Sequence, residues 1–263
     1  NGVLVQMDEN QKSQVEALSF VLNTEFVAPN APLTALPSSI SEDPINPKNN
    51  LAFPQTSLLG IDDMHRDGFR GEGMLIAIFD DGFQNISIIP YFQHLFTEDR
   101  IAYTFDYVRG RVTVENGFHH GLRSISTIAA IGDDYLGTAP GATFILANTE
   151  DPPTEYRIEE YNWLFAAEHA DSAGVDIIST SLGYSNGFTD ASMDYTVEQM
   201  DGETAVISMA ANLAASKGIA LVSSAGNQGN SFWRIITAPA DSERVLAVGA
   251  TNINGELASF SSE

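Results

Sequence analysis

Three sets of side chains spread along the sequence are equipped for acid–base and carbonyl chemistry. They are the acidic pair Asp80-Asp81, the imidazole pair His119-His120, and Asn227 within Ala225-Gly226-Asn227-Gln228-Gly229. Asp80 follows the wholly apolar run Met74–Phe79 and precedes Gly82. A carboxylate at the mouth of a buried segment is partly desolvated and needs a partner. It can orient a histidine, bind a metal together with Asp81, or cap the following turn. His120 precedes Gly121 and a helix expected over Leu122–Ile131. There the helix dipole disfavours a charged ring, which suits a neutral general base; a polar loop histidine is the plainer reading. His119 and His120 would point in different directions, and no histidine four residues away completes a metal pair. Asn227 follows an apolar run and is flanked by glycines that allow a tight turn. Its amide can donate to a developing oxyanion or close an Asx turn. Each residue taken alone has a structural explanation.

The pattern after Leu58 alternates strand and helix. Gly71-Glu72-Gly73 leads into Met74–Phe79, and Ala142–Ala147 is a second nearly apolar run. Short runs without polar alternation predict strands buried on both faces, as in a parallel sheet. Tyr156–Ala173 is predicted helical and closed by Gly174 at C′. Strand Val175–Ile178 follows and ends in Ser181-Leu182-Gly183. The unit then repeats as a helix to Lys217, the stop Gly218, strand Ile219–Val222 and the polar Ser223–Asn227 loop, with a further strand at Arg244–Gly249. This is the grammar of an α/β fold with a doubly wound parallel sheet. Ligands of such sheets bind beyond the carboxyl ends of the strands. Asp80-Asp81, Ser181 and Gly226-Asn227 all fall just past such ends, so they are expected to converge on one rim.

Composition narrows the partners. The 263 residues include 12 Lys and Arg against 35 Asp and Glu, a net charge of −23. Such a chain repels phosphate backbones and anionic lipid surfaces, so neither nucleic acid nor membrane is expected as a partner. No apolar run approaches the ~18–20 residues of a transmembrane helix. The absence of cysteine removes thiol nucleophiles, thiolate metal sites and disulfides.

The first 28 residues read as a separate small unit. Gly2–Met7 and Thr24–Ala28 are predicted strands. Between them Asp8 and Gln11 form an expected capping box, and Val15, Leu18 and Val21 keep helical spacing. Residues 29–54 carry Pro29, Pro32, Pro37, Pro44, Pro47 and Pro54 with no periodicity, which reads as an exposed linker. The sequence opens as if already within a domain, as expected of a processed product or a fragment.

Taken together and in order, these features resemble the subtilisin-like serine peptidases, the subtilases. Ile76–Gly82 resembles the family's Asp motif, and His120-Gly121 followed by Thr127–Ala130 resembles its His motif. Gly137–Ala142, Gly174–Gly183 and Ser224–Gly229 resemble, in turn, the lead-in to the next strand, the strand walling the substrate cleft, and the oxyanion Asn motif. Pro239-Ala240, Val248–Ala250 and Ala258–Ser261 continue in family order, so the likeness covers roughly residues 55–263. The tracts Glu159–Trp163 and Asp201–Thr204 look most like secreted members of the Bacteroidetes group.

The resemblance implies a serine endopeptidase, secreted or at the cell surface, in which Asp80 holds the tautomer of His120. His120 would act as base and then acid, and Asn227 would stabilise the oxyanion. Ser181, Leu182 and Gly183 would pair with an extended peptide or protein substrate as an added strand, and Ala225 and Gly226 would line the pocket before the scissile bond. No cofactor is required for this chemistry; the likeness allows structural calcium without placing it. Residues 1–28 would be the remainder of an inhibitory propeptide, and the catalytic domain would run from residue 55. Three departures stand out. No Gly-Thr-Ser-Met-Ala-like nucleophile motif occurs after Asn227, so the Ser and the C-terminal part of the domain are expected beyond Glu263. Leu122 replaces a threonine, removing a hydroxyl near the histidine. Asp81 replaces a small or hydroxyl residue and adds charge. Two other readings compete. A phosphoryl-accepting or Mg²⁺-binding α/β domain would need a lysine on the rim, yet only Lys12, Lys48 and Lys217 occur. A subtilase fold without a nucleophile would be an inactive binding or assembly module.

Overall fold

The computed structural model describes residues 5–19, 21–27, 50–115 and 117–263. Its centre is one parallel sheet of six strands, β1 (Leu75–Asp80), β2 (Ile101–Asp106), β3 (Thr143–Asn148), β4 (Ile177–Thr180), β5 (Ala220–Ser224) and β6 (Leu246–Val248), in the order β2-β3-β1-β4-β5-β6. β1 pairs with β3 on one side, from Leu75↔Thr143 to Asp80↔Asn148, and with β4 on the other. The chain therefore leaves β1 toward one edge and later returns to build the other. The point where the winding reverses lies at the carboxyl end of β1, where a crevice opens in such sheets.

Both faces of the sheet are covered, which explains the unbroken apolar runs. Along β1, Ala77 and Phe79 face one core with Trp163, Ala166 and Ala210, whereas Ile76 and Ile78 face another with Phe83, Leu95 and Ile125. Ile145 and Ala147 of β3 join the first core, Phe144 and Leu146 the second. Each fully buried large apolar side chain contributes about 1.5–3 kcal/mol. The first core is roofed by α6 (Ile158–Ala173) and α7 (Val206–Ser216), the second by α4 (Gln93–Thr97) and α5 (His120–Ala129). Trp163 ties the layers together: its ring meets Phe79 edge-on at 5.4 Å, and its indole N–H donates to Thr180 Oγ1 at 3.3 Å. Gly174 ends α6 with φ +80°, the left-handed C-cap expected from the sequence.

Several boundaries differ from expectation. Strands β1, β3, β4 and β5 each run on into the polar residue that follows the apolar run, so Asp80 and Asn148 are strand residues rather than loop residues. β2 was not anticipated: Ile-Ala-Tyr-Thr-Phe-Asp lacks glycine punctuation, and as an edge strand with a register shift between Ile101 and Tyr103 it carries weaker patterning. Helix α5 starts at His120, earlier than expected. Pro54 belongs to α2 (Phe53–Leu58), in its first turn where a missing N–H costs nothing. α3 (Ile61–Arg66) follows.

In the N-terminal unit, α1 (Glu9–Glu16) forms with its capping box: Asp8 Oδ1 accepts from Gln11 N at 2.8 Å, and Asp8 N donates to Gln11 Oε1 at 2.9 Å. The two flanking strands do not form in residues 5–7 and 24–27; residues 2–4 and 28 lie outside the described residues, as does the linker from 29 to 49. A strand needs a neighbour to take up its backbone groups, and the second segment finds other partners. Val27 O accepts from Ile158 N at 3.0 Å, and Glu25 pairs with Arg157 at 2.9 Å. Residues 25–27 thus dock on the start of α6.

Candidate active site

Asp80 has no solvent exposure, and every oxygen of its carboxylate is used. Oδ1 accepts from Asp81 N at 2.9 Å and from His120 Nδ1 at 2.7 Å; Oδ2 accepts from the Ser124 hydroxyl at 2.8 Å. The carboxylate accepts and cannot donate when ionised, so Nδ1 of His120 carries the proton. The neutral ring then has its lone pair on Nε2, and its side chain is half exposed. A buried, immovable carboxylate behind an accessible imidazole is the geometry of an oriented general base.

Two consecutive aspartates divide the work. Asp80 holds the ring, while Asp81 Oδ1 accepts from the backbone N–H groups of His120 at 2.8 Å and Gly121 at 3.2 Å. Asp81 thereby caps α5 from another element, placing a negative charge at the positive helix end. Gly121 is required by space. A Cβ there would lie 2.8 Å from Gly82 O, 2.9 Å from Asp80 Cβ and 2.9 Å from Phe83 Cζ. The His-Gly pair is therefore a packing condition: the helix must start against β1 for the ring to reach Asp80.

The electrostatics follow from this arrangement. The hydrogen bond to Asp80 is the largest influence on His120 and raises its pKa above the ordinary value of 6.5; partial burial opposes, and the charges of Asp80 and Asp81 add to the rise. Burial raises the Asp81 carboxyl above 3.8, against the pull of the two N–H donors. His119 does not join the site; its Nε2 lies 2.9 Å from Arg123 Nη2 on the same helix.

The other expected residues lie on the neighbouring strands. Ser181, Leu182 and Gly183 follow β4, with Ser181 and Gly183 exposed and Leu182 buried. Ala225, Gly226 and Asn227 follow β5, with Asn227 exposed. Because β4 lies between β1 and β5, the Ser181–Gly183 segment lies between the Asp80–His120 couple and Asn227 along the rim. Thr237 packs against both loops: its Oγ1 would stand 2.1 Å from a Cβ at Gly183 and 3.0 Å from one at Gly226. The segment is held by Tyr184 N donating to Ala238 O at 2.9 Å and Ala238 N donating to Tyr184 O at 3.0 Å. Sequence reasoning missed Thr237 and Ser124. Ser124 had a readable signal, one helical turn after His120; Thr237 had none, because it approaches only in space.

Beside this rim, α6 begins with two buried carboxyls. Tyr184 donates to Glu159 Oε2 at 3.2 Å; Tyr195 donates to Glu160 Oε1 at 2.7 Å and Ile207 N to its Oε2 at 3.0 Å. Burial pushes Glu159 up to about 9 and Glu160 up to about 7. Among the described residues no group of three or more His, Asp or Glu is placed to hold a metal ion, and no helix is long and apolar enough to cross a membrane. Ser261 and Ser262 have structural partners: Ser262 Oγ accepts from Gln228 N at 3.0 Å and Ser261 Oγ from Ala250 N at 3.0 Å, and both residues are buried.

Comparison with known proteins places this geometry. The model of the subtilase family matches residues 71–263. Subtilisin E of Bacillus subtilis is 28% identical over 204 residues, covering 76% of this chain and 46% of that protein. Subtilisin BL of Lederbergia lenta is 30% identical over 199 residues, covering 75% of this chain and 62% of that protein. The chain thus spans between about half and two thirds of the length of these relatives. Among solved structures, that of MycP1 with its N-terminal propeptide removed superposes with a TM-score of 0.58 at 21% identity, covering 79% of this chain and 66% of that one. At that identity the likeness is one of fold.

Proposed function

The chain belongs to the subtilase family, and on that premise we propose that it forms part of a serine endopeptidase hydrolysing peptide or protein substrates. The observation that carries this reading is the 2.7 Å bond from His120 Nδ1 to an Asp80 carboxylate without solvent exposure, at the point where the sheet reverses its winding. In this reading His120 Nε2 takes the proton of a serine hydroxyl as it attacks the scissile carbonyl, then returns it to the leaving amine. Asp80 fixes the tautomer and stabilises the imidazolium. The Asn227 amide donates to the oxyanion. An extended substrate lies along Ser181–Gly183 as an added strand, with Ala225 and Gly226 at the pocket before the scissile bond. No residue from 228 to 263 stands in a Gly-Thr-Ser motif, so the nucleophile comes from sequence following Glu263, in a part of the domain that completes the site. Residues 1–28 act as the end of a propeptide; the docking of Glu25 and Val27 on the start of α6 supports this. Family resemblance supports action outside the cell or at its surface.

A fluorophosphonate probe tests the reading on the full-length matured protein. One serine downstream of Glu263 becomes labelled, and His120→Ala abolishes labelling. A matured protein that is never labelled makes this fold a binding module.

A further inference from the structure

We infer that Ser124 is a positioning residue for the Asp80–His120 couple, holding the second oxygen of the buried carboxylate so that its first oxygen faces the ring. The inference rests on the reading of that couple as the acid–base machinery. Among the described residues Asp80 Oδ1 has two N–H donors, from Asp81 and His120, whereas Oδ2 has only the Ser124 hydroxyl at 2.8 Å. The same hydroxyl lies 3.4 Å from His120 O, the back-bond that a serine inside a helix ordinarily makes. The shorter bond to an ionised acceptor is the stronger of the two. Ser124 thus points across to β1 rather than merely satisfying its own helix. Donors on both oxygens fix the plane of a carboxylate that no water reaches. Ser124 and His120 share α5, one turn apart, so the helix delivers the ring and its support as one unit. The residue following Asp80 is an aspartate committed to capping α5, and Leu122 has no hydroxyl; the hydroxyl of the site enters from Ser124 instead.

The charged groups acting on His120 are Asp80 and Asp81 at the end of β1 and Arg123 on α5, and both aspartates also act on the buried Glu150 beyond β3. The positive end of the Ser124 dipole faces Asp80 and weakens its pull on the imidazolium. Removing it raises the proton affinity of His120 and frees the carboxylate to turn.

The test compares Ser124→Ala, Ser124→Thr and the same-helix control Ser126→Ala, whose hydroxyl donates to Arg123 O, in the full-length protein. The His120 imidazole is titrated by NMR, and kcat and KM are measured on a peptide substrate. Ser124→Ala moves the His120 midpoint up by about half a pH unit and lowers kcat about tenfold at unchanged KM. Ser124→Thr restores both, and Ser126→Ala changes neither. A His120 titration in Ser124→Ala that matches the parent, or equal effects from Ser126→Ala, overturns the assignment. If the parent protein neither hydrolyses peptides nor takes the probe, the peptidase reading falls, while the titration alone still decides whether Ser124 positions the couple.

Discussion

His120 reaches an anion that solvent does not touch, and its proton affinity is the most direct consequence of the site. The neutral ring is the base, and the neutral fraction grows as pH rises through its pKa. Because the bond to Asp80 holds that pKa above 6.5, the acidic limb of kcat/KM is expected above the ordinary imidazole range. Asp80→Asn removes the charge and brings His120 down, while kcat falls by orders of magnitude as the ring loses its enforced tautomer. A pH–rate profile of the full-length protein and its Asp80→Asn variant checks this. A parent limb centred at or below 6.5 contradicts the described hydrogen bond. Asp81 adds charge beside His120, as its residue type implies, and it also receives two backbone N–H groups at the start of α5, which residue type alone does not reveal.

Elements succeed or fail here on contact between β1 and the first turn of α5. Gly121→Ala forces a methyl to within 3.0 Å of backbone Gly82 O and Asp80 Cβ, so the helix start must shift off the strand. Overpacking of this kind costs about 1–3 kcal/mol. The expected outcome is a lowered Tm together with loss of fluorophosphonate labelling, because the shift separates ring and carboxylate; unchanged labelling would show that α5 tolerates displacement. At the start of α6 the buried carboxyls set a second expectation. Glu159 titrates at about 9 when folded and near 4.3 when unfolded, so the folded state holds a proton that the unfolded state gives up. Stability is therefore fully present below about pH 4 and declines as pH rises toward 9. Glu159→Gln keeps the acceptor for Tyr184 and removes the titration; thermal melts from pH 5 to 9 should show a shallower decline in the variant than in the parent.

For the molecule as a whole, charge is the dominant departure from an ordinary domain. With a net charge of −23 the compact state repels itself more than the expanded one. Added salt screens this, shortening the Debye length from ~30 Å at 0.01 M to ~10 Å at 0.1 M. The Tm is expected to rise over that range of sodium chloride. A Tm that stays flat would mean that the carboxylates are already neutralised, by pairing or by protonation as at Glu159.

The sheet and the position of its chemistry were legible from residues 74 onward because both depend on local pattern. Apolar runs that end in Asp80, Ser181 and Asn227 must be buried strands with polar ends, and glycines at 174 and 218 stop the helices between them. The order of those motifs also carried the family. What local pattern could not carry is anything decided by approach in space. The edge strand β2 is half patterned because only one side of it meets another strand. The strand predicted at residues 24–28 needs a neighbour, and residues 25–27 instead satisfy the start of α6. Asp81 became a cap, Ser124 a support and Thr237 a wedge because helices and loops distant in sequence close on β1 and β5. The residue types that do chemistry are thus written in the chain, while the geometry that would let them act comes from packing around the carboxyl end of one strand.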